Sequence, residues 1–356
     1  MFSYSFPAVA GIQSNKQYYI AMIPLSLLRK LFSSYEECDM PPEFRAQRRL
    51  NEARIPEIRN YILSNRDSYV FSALTASIDG KFEFTGDETG VGILAIDMSA
   101  SLLINDGQHR KAAIEEALME DPSLGDETIS VVFFKDEGLQ RSQQMFTDLN
   151  KHAVKSSNSL ATLYDTRDWL SVSTKEVVQR VPVLKRFTDL EHDILGKNSM
   201  HFFTLNSMKK ANARIIRSKE SDSDVTDFLV KYWATVFSNI DEWQDVMNKR
   251  ITKKDLRESY MLSLSITMNA FGKLGEYFYS HRDVDMTEIL KGLKQIDWLR
   301  SASGNWEDRL IRRNGKIINT EESVTLTCSK IKMLLGIELS REELNKERNF
   351  RSKNVK

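Results

Sequence analysis

The chain has 356 residues, of which 41% are hydrophobic and 10% aromatic, so it can bury a substantial core and is not disordered as a whole. Its 50 basic and 50 acidic side chains balance, which excludes a whole-chain electrostatic attraction to nucleic acid or to an anionic membrane. The two cysteines, Cys38 and Cys328, are too few for a disulfide framework or a cysteine-built zinc site, and they favour a reducing compartment. Without a signal-peptide pattern or a run of ~18 apolar residues, the sequence predicts a soluble, cytoplasmic protein that makes no membrane contact.

In chain order, the first predicted elements are strands that lead into helices. The stretch QYYIAMIP (17–24) has the composition of a strand, and LSLLRKLF after it has apolar residues at helical spacing. A helix is predicted in LNEARIPEIRNYILSN (50–65), with Pro56 in its first turn. The stretch YVFSALTASIDGKFEFTG (69–86) predicts a hairpin that turns at Asp79 and Gly80, a pair that tolerates positive φ angles. A strand, a helix, the strand ISVVFFKD (129–136) and a helix from 139 onward complete this half.

Beyond about residue 156 the sequence pattern becomes helical. Apolar residues recur at steps of three and four in the segments 159–181, 222–247 and 259–280. The predicted fold class is therefore α+β, with a mixed domain at 1–155, a helical domain at 156–345 and a basic tail at 346–356.

The most informative segment is LLINDGQHRKAAIEEAL (102–118), where a predicted strand meets a predicted helix. A helix start attracts anions, because its first backbone N–H groups are unpaired and lie at the positive end of the dipole. Gly107 lets a phosphate approach the backbone, Arg110 offers a charged clamp, and Gln108 and His109 offer further hydrogen bonds. In the alternative interpretation, Asp106 only caps the helix and Arg110 is a solvated side chain.

The five residues at 106–110 resemble the signature of the DGQHR-domain family, which is similar to the ParB and sulfiredoxin superfamily. In that superfamily a Gly-x-x-Arg turn at a helix start contacts nucleotide phosphates. QRRLNEARIPEIRNYIL, which contains Arg48, and MFTDLNKHAVKSS, which contains Asn150, resemble two further boxes of the family. The resemblance implies a ParB/sulfiredoxin-like N-terminal domain followed by a mostly α-helical C-terminal domain. It also implies that a phosphate or nucleotide is bound by Gly107, Gln108, Arg110, Arg48 and Asn150.

The resemblance leaves catalysis open. Gln108 stands where sulfiredoxin-like relatives carry a cysteine, so no thiol-dependent chemistry is expected in this turn. If the fold brings Asp106, His109 and Asn150 together, Asp106 and His109 are the candidate catalytic residues for hydrolysis of a nucleoside triphosphate bound with a divalent metal ion. ParB-like relatives use a GERR-type turn, so His109 puts the base identity and the hydrolysis in question. The five histidines show no metal-binding spacing, and no metal site built by the protein is predicted.

Basic residues cluster locally in the second half, despite the neutral total charge. Three stretches, MKKANARIIRSK, NKRITKKDLR and DRLIRRNGK, each carry several cations. Such clusters indicate a surface that contacts the phosphate backbone of double-stranded DNA, although each one alone is equally consistent with a solvated helix face. The candidate DNA-binding residues are Lys209, Lys210, Arg214, Arg217, Lys253, Lys254, Arg312 and Arg313.

Two functions follow as hypotheses. In its length, its YSFPAVAGIQ opening and its helical C-terminal half, the chain is most similar to the DndB group, accessory proteins of bacterial DNA phosphorothioation systems. The first hypothesis is therefore a DNA-binding accessory or transcriptional regulatory protein of a DNA sulfur modification system, with other phosphorothioation proteins and a second copy of itself as possible partners. The alternative is a ParB-like nucleotide-binding NTPase whose hydrolysis is coupled to DNA binding.

Overall fold

The computed structural model describes residues 2–32, 50–151, 156–196, 198–216 and 224–354. The chain divides into two compact units, Met1–Val154 and Lys155–Lys356. The first unit combines one large mixed sheet with helices, and the second is built almost entirely of helices. The α+β class predicted from the sequence is thereby confirmed.

The sheet of the first unit has seven strands in the order β4-β5-β1-β2-β7-β3-β6. Only β3 and β7 run parallel, and all other neighbours are antiparallel. Apolar side chains alternate along the strands, as at Tyr19, Ala21 and Ile23 of β2, and so place one face of the sheet in the core. The strands are β1 Ser3–Gln13, β2 Lys16–Pro24, β3 Leu74–Asp79, β4 Phe82–Gly86, β5 Val91–Asp97, β6 Ser101–Asp106 and β7 Thr128–Lys135.

The hairpin predicted at Asp79 and Gly80 is wrong. β3 pairs with β6 and β4 pairs with β5, so the two strands on either side of Gly80 lie at opposite ends of the sheet order. Gly80 has the positive φ that the sequence indicated, 136°, but it bends one long ribbon instead of reversing the chain. A Cβ on Gly80 would lie 2.7 Å from the Cβ of Ala100, so the bends of the two strands of this ribbon lie against each other. The reversal itself is at Asp87–Gly90, where the Asp87 carboxylate accepts the backbone N–H groups of Thr89 and Val91.

Among the described residues of this unit, four α-helices accompany the sheet: α1 Leu28–Leu31, α2 Ile55–Ser64, α3 Gln108–Glu120 and α4 Leu139–Lys151. Leu28, Ile62 and Ile114 bring α1, α2 and α3 into the core on the apolar face of the sheet. Pro56 lies in the first turn of α2, where its missing N–H costs nothing. α4 packs against β6 and buries Met145. Three parts of the sequence, namely α2, the segment from β6 to α3, and α4, therefore meet around the strand-to-helix turn at 106–108.

Twelve α-helices and a short parallel strand pair make up the described part of the second unit. Its core is aromatic, and Tyr232 and Trp233 of one central helix are fully buried in it. The buried amide of Asn212 links two helices to this centre, since it donates to Thr174 Oγ1 at 3.0 Å and accepts the Trp233 indole N–H at 2.7 Å. The elements are α5 Asn158–Tyr164, α6 Trp169–Arg180, α7 Pro182–Phe187, β8 Thr188–Asp189, β9 Phe203–Thr204, α8 Leu205–Ile215, α9 Val225–Ser238, α10 Asp241–Met247, α11 Lys253–Ser259, α12 Ser265–Ser280, α13 Met286–Leu290, α14 Ser303–Trp306, α15 Glu321–Leu334 and α16 Arg341–Asn354.

Two buried ion pairs attach the last helix, α16, to the rest of the second unit. Glu343 accepts from Lys332 Nζ at 2.8 Å, and Glu347 forms a bidentate pair with Arg309. All four side chains are less than one-tenth exposed. The stretch expected to form a basic tail from 346 is helical as far as Asn354. No helix in the described part of the chain has the length and apolar character needed to cross a bilayer.

Candidate functional site

The DGQHR turn lies at the wall of a cavity of about 300 Å³ in the first unit. Four elements contribute to this cavity: the start of α2, the end of β6, the start of α3 and the end of α4. The structure thus brings Asn150 to the DGQHR turn, although 40 residues separate them in sequence. The lining residues are Arg54, Ile58, Asn105, Asp106, Gly107, Gln108, His109, Arg110, Phe146 and Asn150.

Gly107 shapes the entrance to α3. It is the N-cap residue, and its φ of 101° and ψ of 14° are left-handed values that favour glycine. A Cβ at this position would lie 2.4 Å from Leu74 Cδ2. No side chain caps α3, and its first turn contains no acidic residue. The backbone N–H groups of Gln108 and Arg110 in this first turn are therefore available to an anion, with the helix dipole in its favour.

Two residues of the cavity wall, Asn105 and Gln108, each carry one buried amide atom without a hydrogen-bond partner among the described residues. Asn105 sits at a β-bulge, because Asp106 pairs with Thr75 and Ile104 pairs with Ala76. It is 1% exposed, and its Nδ2 donates to Ser77 Oγ at 2.7 Å. Its Oδ1 and the Nε2 of Gln108 are buried and have no hydrogen-bond partner among the residues that the structure describes. Because unsatisfied buried polar atoms are costly, these two atoms indicate a cavity made for a polar ligand.

Arg110 points toward protein groups. Its Nη1 donates to the carbonyl and hydroxyl oxygens of Ser72, both at 2.6 Å, and to the carbonyl oxygen of Ala73 at 2.8 Å. Its Nη2 donates to the Asp106 carboxylate at 2.5 Å. The guanidinium therefore links the residues just before β3 to the DGQHR turn. In this conformation Arg110 fixes the wall of the cavity, and its predicted role as a phosphate clamp stays a prediction.

His109 also has a partner among the described residues of the protein. Its Nε2 accepts the backbone N–H of Asn51 at 3.0 Å, so this nitrogen is unprotonated and its lone pair is occupied. Asp106, the second candidate catalytic residue, carries the ion pair with Arg110. In this conformation His109 Nε2 and Asp106 Oδ2 each already have a partner within the protein.

Sequence reasoning did not single out Arg54, Ile58 or Asn105. Arg54 is exposed, begins α2 and forms no salt bridge with any described residue, so it brings an uncompensated charge to the cavity. Only the bulge and the distant pairing partner make Asn105 a wall residue, and neither is visible in the sequence. The signal available for Arg54 was its position inside the box that the resemblance had marked at Arg48. Arg48 itself lies outside the described residues.

The predicted DNA-binding residues fall into different situations in the second unit. Arg217 lies outside the described residues. Lys253 is half-buried, with its Nζ 5.3 Å from the ring centroid of Phe187. Lys210, Lys254 and Arg312 are exposed and have no ion-pair partner within the described ranges. The other three are paired with carboxylates: Lys209 with Asp168, Arg214 with Glu321, and Arg313 with Glu307.

No group of three or more histidine, cysteine, aspartate or glutamate side chains that could hold a metal ion occurs among the described residues. A divalent ion bound with a nucleotide would depend on phosphate oxygens and the few polar groups of the cavity wall. Among the described residues that line the cavity, Asp106 is the only acidic one.

Fold and cavity together define an α+β protein with an uncapped helix start facing a polar cavity. A family model described as DndB, DNA-sulfur modification-associated, matches residues 6–338. The chain therefore belongs to the DndB family, which associates it with DNA sulfur modification and confirms the similarity to the DndB group that the sequence predicted. Neither the curated proteins nor the solved structures include a match to the chain.

Proposed function

We propose that this protein is an accessory component of DNA sulfur modification whose first unit binds a nucleoside phosphate at the DGQHR turn. The observation that carries the proposal is the uncapped start of α3, which faces a cavity whose wall residues Asn105 and Gln108 each carry a buried amide atom without a partner among the described residues. An anionic group accounts for the first feature and the polar part of a nucleoside for the second. The proposal includes a ParB-like arrangement of this unit.

The chemistry of the cavity wall supports a nucleotide more than a free phosphate. Its volume of about 300 Å³ is at the lower end of the usual range for small-molecule sites. The phosphate is assigned to the N–H groups of Gln108 and Arg110, with Arg54 as the neighbouring cation. Ile58 and Phe146 supply apolar surface for the nucleoside. Gln108 Nε2 can donate to a phosphate oxygen, whereas Asn105 Oδ1 accepts only from a donor such as a sugar hydroxyl or a base amine.

The proposal is for binding and not for hydrolysis. A hydrolytic site needs a general base within reach of the attacking water. His109 Nε2 accepts the Asn51 N–H, and Asp106 Oδ2 accepts from Arg110, so both candidate bases already contribute to contacts within the cavity wall. A bound nucleotide in this arrangement acts as a ligand that changes the protein.

Titration calorimetry of the full chain with the four ribonucleoside triphosphates, with and without Mg²⁺, tests the proposal. We expect at least one of them to bind, and Arg54→Ala to weaken that binding about fivefold, because an exposed charged contact contributes roughly 1 kcal/mol. Arg59→Ala is the matched control, since Arg59 lies one turn along α2, pairs with Glu116 and Glu120, and does not line the cavity. No binding at millimolar nucleotide, or equal losses in the two variants, contradicts the proposal.

We infer a second activity, regulatory binding of double-stranded DNA by the second unit. The observation that favours it is the set of exposed cations without carboxylate partners in the described ranges, Lys210, Lys254 and Arg312. Fluorescence anisotropy with promoter duplexes from the surrounding genes should give an affinity that falls steeply between 50 and 200 mM salt. Absence of binding at low salt contradicts this activity and leaves the nucleotide proposal standing.

A further inference from the structure

One cluster of cations in the second unit stands out by its surroundings. Arg186 at the end of α7 and Lys253 at the start of α11 both approach the buried ring of Phe187, with the Arg186 Cζ at 5.5 Å and the Lys253 Nζ at 5.3 Å from its centroid. Arg257 lies one turn after Lys253, and its Cζ is 5.4 Å from the ring centroid of Phe202. The two rings meet edge to face, with centroids 5.0 Å apart. We call Arg186, Lys253 and Arg257 the cation triad.

Arg186 and Lys253 are contacted by uncharged groups. Lys253 Nζ lies 3.7 Å from the sulfur of Met200, and Arg186 Nη1 donates to the carbonyl oxygen of Met247 at 3.0 Å. No carboxylate among the described residues lies within salt-bridge distance of Arg186 or Lys253. Arg186 and Lys253 are therefore held by an aromatic face, a sulfur and a carbonyl oxygen, and Arg257 Nη2 donates to the carbonyl oxygen of His201. Two neighbouring cations in the surroundings of Arg186 and Lys253 are electrostatically unfavourable in the absence of an anion.

The titration of Lys253 is consistent with this environment. Burial lowers the pKa of Lys253 from its ordinary value, and the neighbouring charges of Arg186 and Arg257 lower it further. Burial also lowers the pKa of Arg257. By comparison, Lys209, Arg214 and Arg313 of the same unit each have a carboxylate partner. Membership of a basic stretch in the sequence therefore does not by itself leave a cation without a carboxylate partner.

We propose that the cation triad binds consecutive phosphate groups of the DNA backbone and is the principal DNA contact of the second unit. This inference rests on the proposed DNA binding. Two guanidinium forks and an ammonium on neighbouring elements match an extended polyanion better than a single carboxylate. Arg186, which belongs to none of the three basic stretches in the sequence, becomes a phosphate contact, whereas Lys209, Arg214 and Arg313 serve as internal ion pairs.

The test measures DNA affinity of the full chain as a function of salt for Arg186→Gln, Lys253→Met and the double variant. Methionine keeps the apolar stem of Lys253 against the Phe187 ring, and the melting temperature verifies folding. Each variant should lower the slope of log K against log [salt] by about 0.9, and the double variant should bind roughly tenfold more weakly at low salt. Lys253→Arg should retain the wild-type slope. The paired control is Arg313→Gln, which is expected to leave the slope unchanged.

The outcomes separate this inference from the proposal beneath it. If the wild type binds DNA but the double variant has the same slope and affinity, the cation triad is not the contact, and the DNA-binding proposal survives. If the wild type fails to bind DNA, both fail. If poly-glutamate binds the wild type more tightly than duplex DNA and the double variant loses that binding, the occupant is an acidic peptide, and the assignment to DNA is overturned.

Discussion

Replacing Arg110 with alanine removes the contacts that fix the wall of the nucleotide cavity. The variant loses three donated hydrogen bonds to Ser72 and Ala73 and the ion pair with Asp106. The Arg110 side chain is 17% exposed, so these charge-assisted bonds are only partly screened by water. Ser72 is exposed and regains water in the variant, which limits the loss. We therefore expect a decrease of about 2–3 kcal/mol in the free energy of unfolding of the first unit.

Differential scanning calorimetry measures this cost directly. For a unit of this size, each kcal/mol corresponds to about 2–4 °C, so the first unit should melt about 5–10 °C lower in Arg110→Ala. Lys111→Ala is the neighbouring control on α3, because it removes one i,i+4 pair with Glu115 and should cost about 0.5 kcal/mol. At temperatures where the Arg110 variant is folded, its nucleotide affinity should fall no more than a few-fold.

The opposite pattern would refute the structural role of Arg110. An Arg110→Ala protein that melts with the wild type but no longer binds any nucleotide would mean that its guanidinium leaves Ser72 and Ala73 to clamp the phosphate. In that case the sequence-based expectation for Arg110 would be correct and the contacts seen in this conformation would be incidental.

Three further variants or conditions extend the test. Gly107→Ala should destabilise the first unit by about 2 kcal/mol or more in urea denaturation, because alanine is strained at a φ of 101° and its Cβ has no room. Burial alone raises the pKa of Glu343, but hydrogen bonding to Lys332 outweighs burial and holds the pKa below its ordinary value. The stability that this carboxylate adds is therefore present at neutral pH and is lost as the pH falls through the lowered pKa. Glu343→Gln should remove that part of the pH dependence between pH 7 and 3. Burial raises the pKa of Cys328 to about 12, so iodoacetamide at pH 8 should label at most one thiol per folded chain and the second only in denaturant.

The sequence was informative wherever local chemistry decides the structure. Strand-type composition predicted β2 and β7, and the helical spacing predicted α2, α9 and α12. Pro56 was compatible with α2 because the first turn needs no N–H from it. The two halves differ in periodicity, and for that reason the α+β class could be predicted without any knowledge of pairing.

The sequence failed where distant segments decide. Asp79 and Gly80 have the residue types of a hairpin turn, but the pairing partners of β3 and β4 lie at opposite ends of the sheet order, so the same positive φ bends a ribbon. The role of Arg110 depended in the same way on Ser72, nearly 40 residues upstream. A motif identifies a cation near a helix start, whereas the fold determines which acceptors that cation meets first.

The basic clusters show the same limit in electrostatic form. Consecutive cations in the sequence predicted contacts at Lys209 and Arg214, yet the fold supplies each of them with a carboxylate from elsewhere in the chain. Arg186 is not part of a basic run, but it meets Lys253 across the Phe187 ring. Charge density along a sequence is therefore a poor guide to unneutralised charge on a surface.

The most direct test of the central claim is an ¹⁵N TROSY titration of the deuterated full chain with the best-binding nucleotide. If the nucleotide phosphate lies at the start of α3, the backbone amides of Gln108, His109 and Arg110 should show the largest shifts, together with the side-chain amides of Asn105 and Gln108. Inorganic phosphate should shift the three backbone amides and leave the Asn105 side chain unmoved. Saturable shifts confined to other residues, with the DGQHR amides unchanged, would contradict the account.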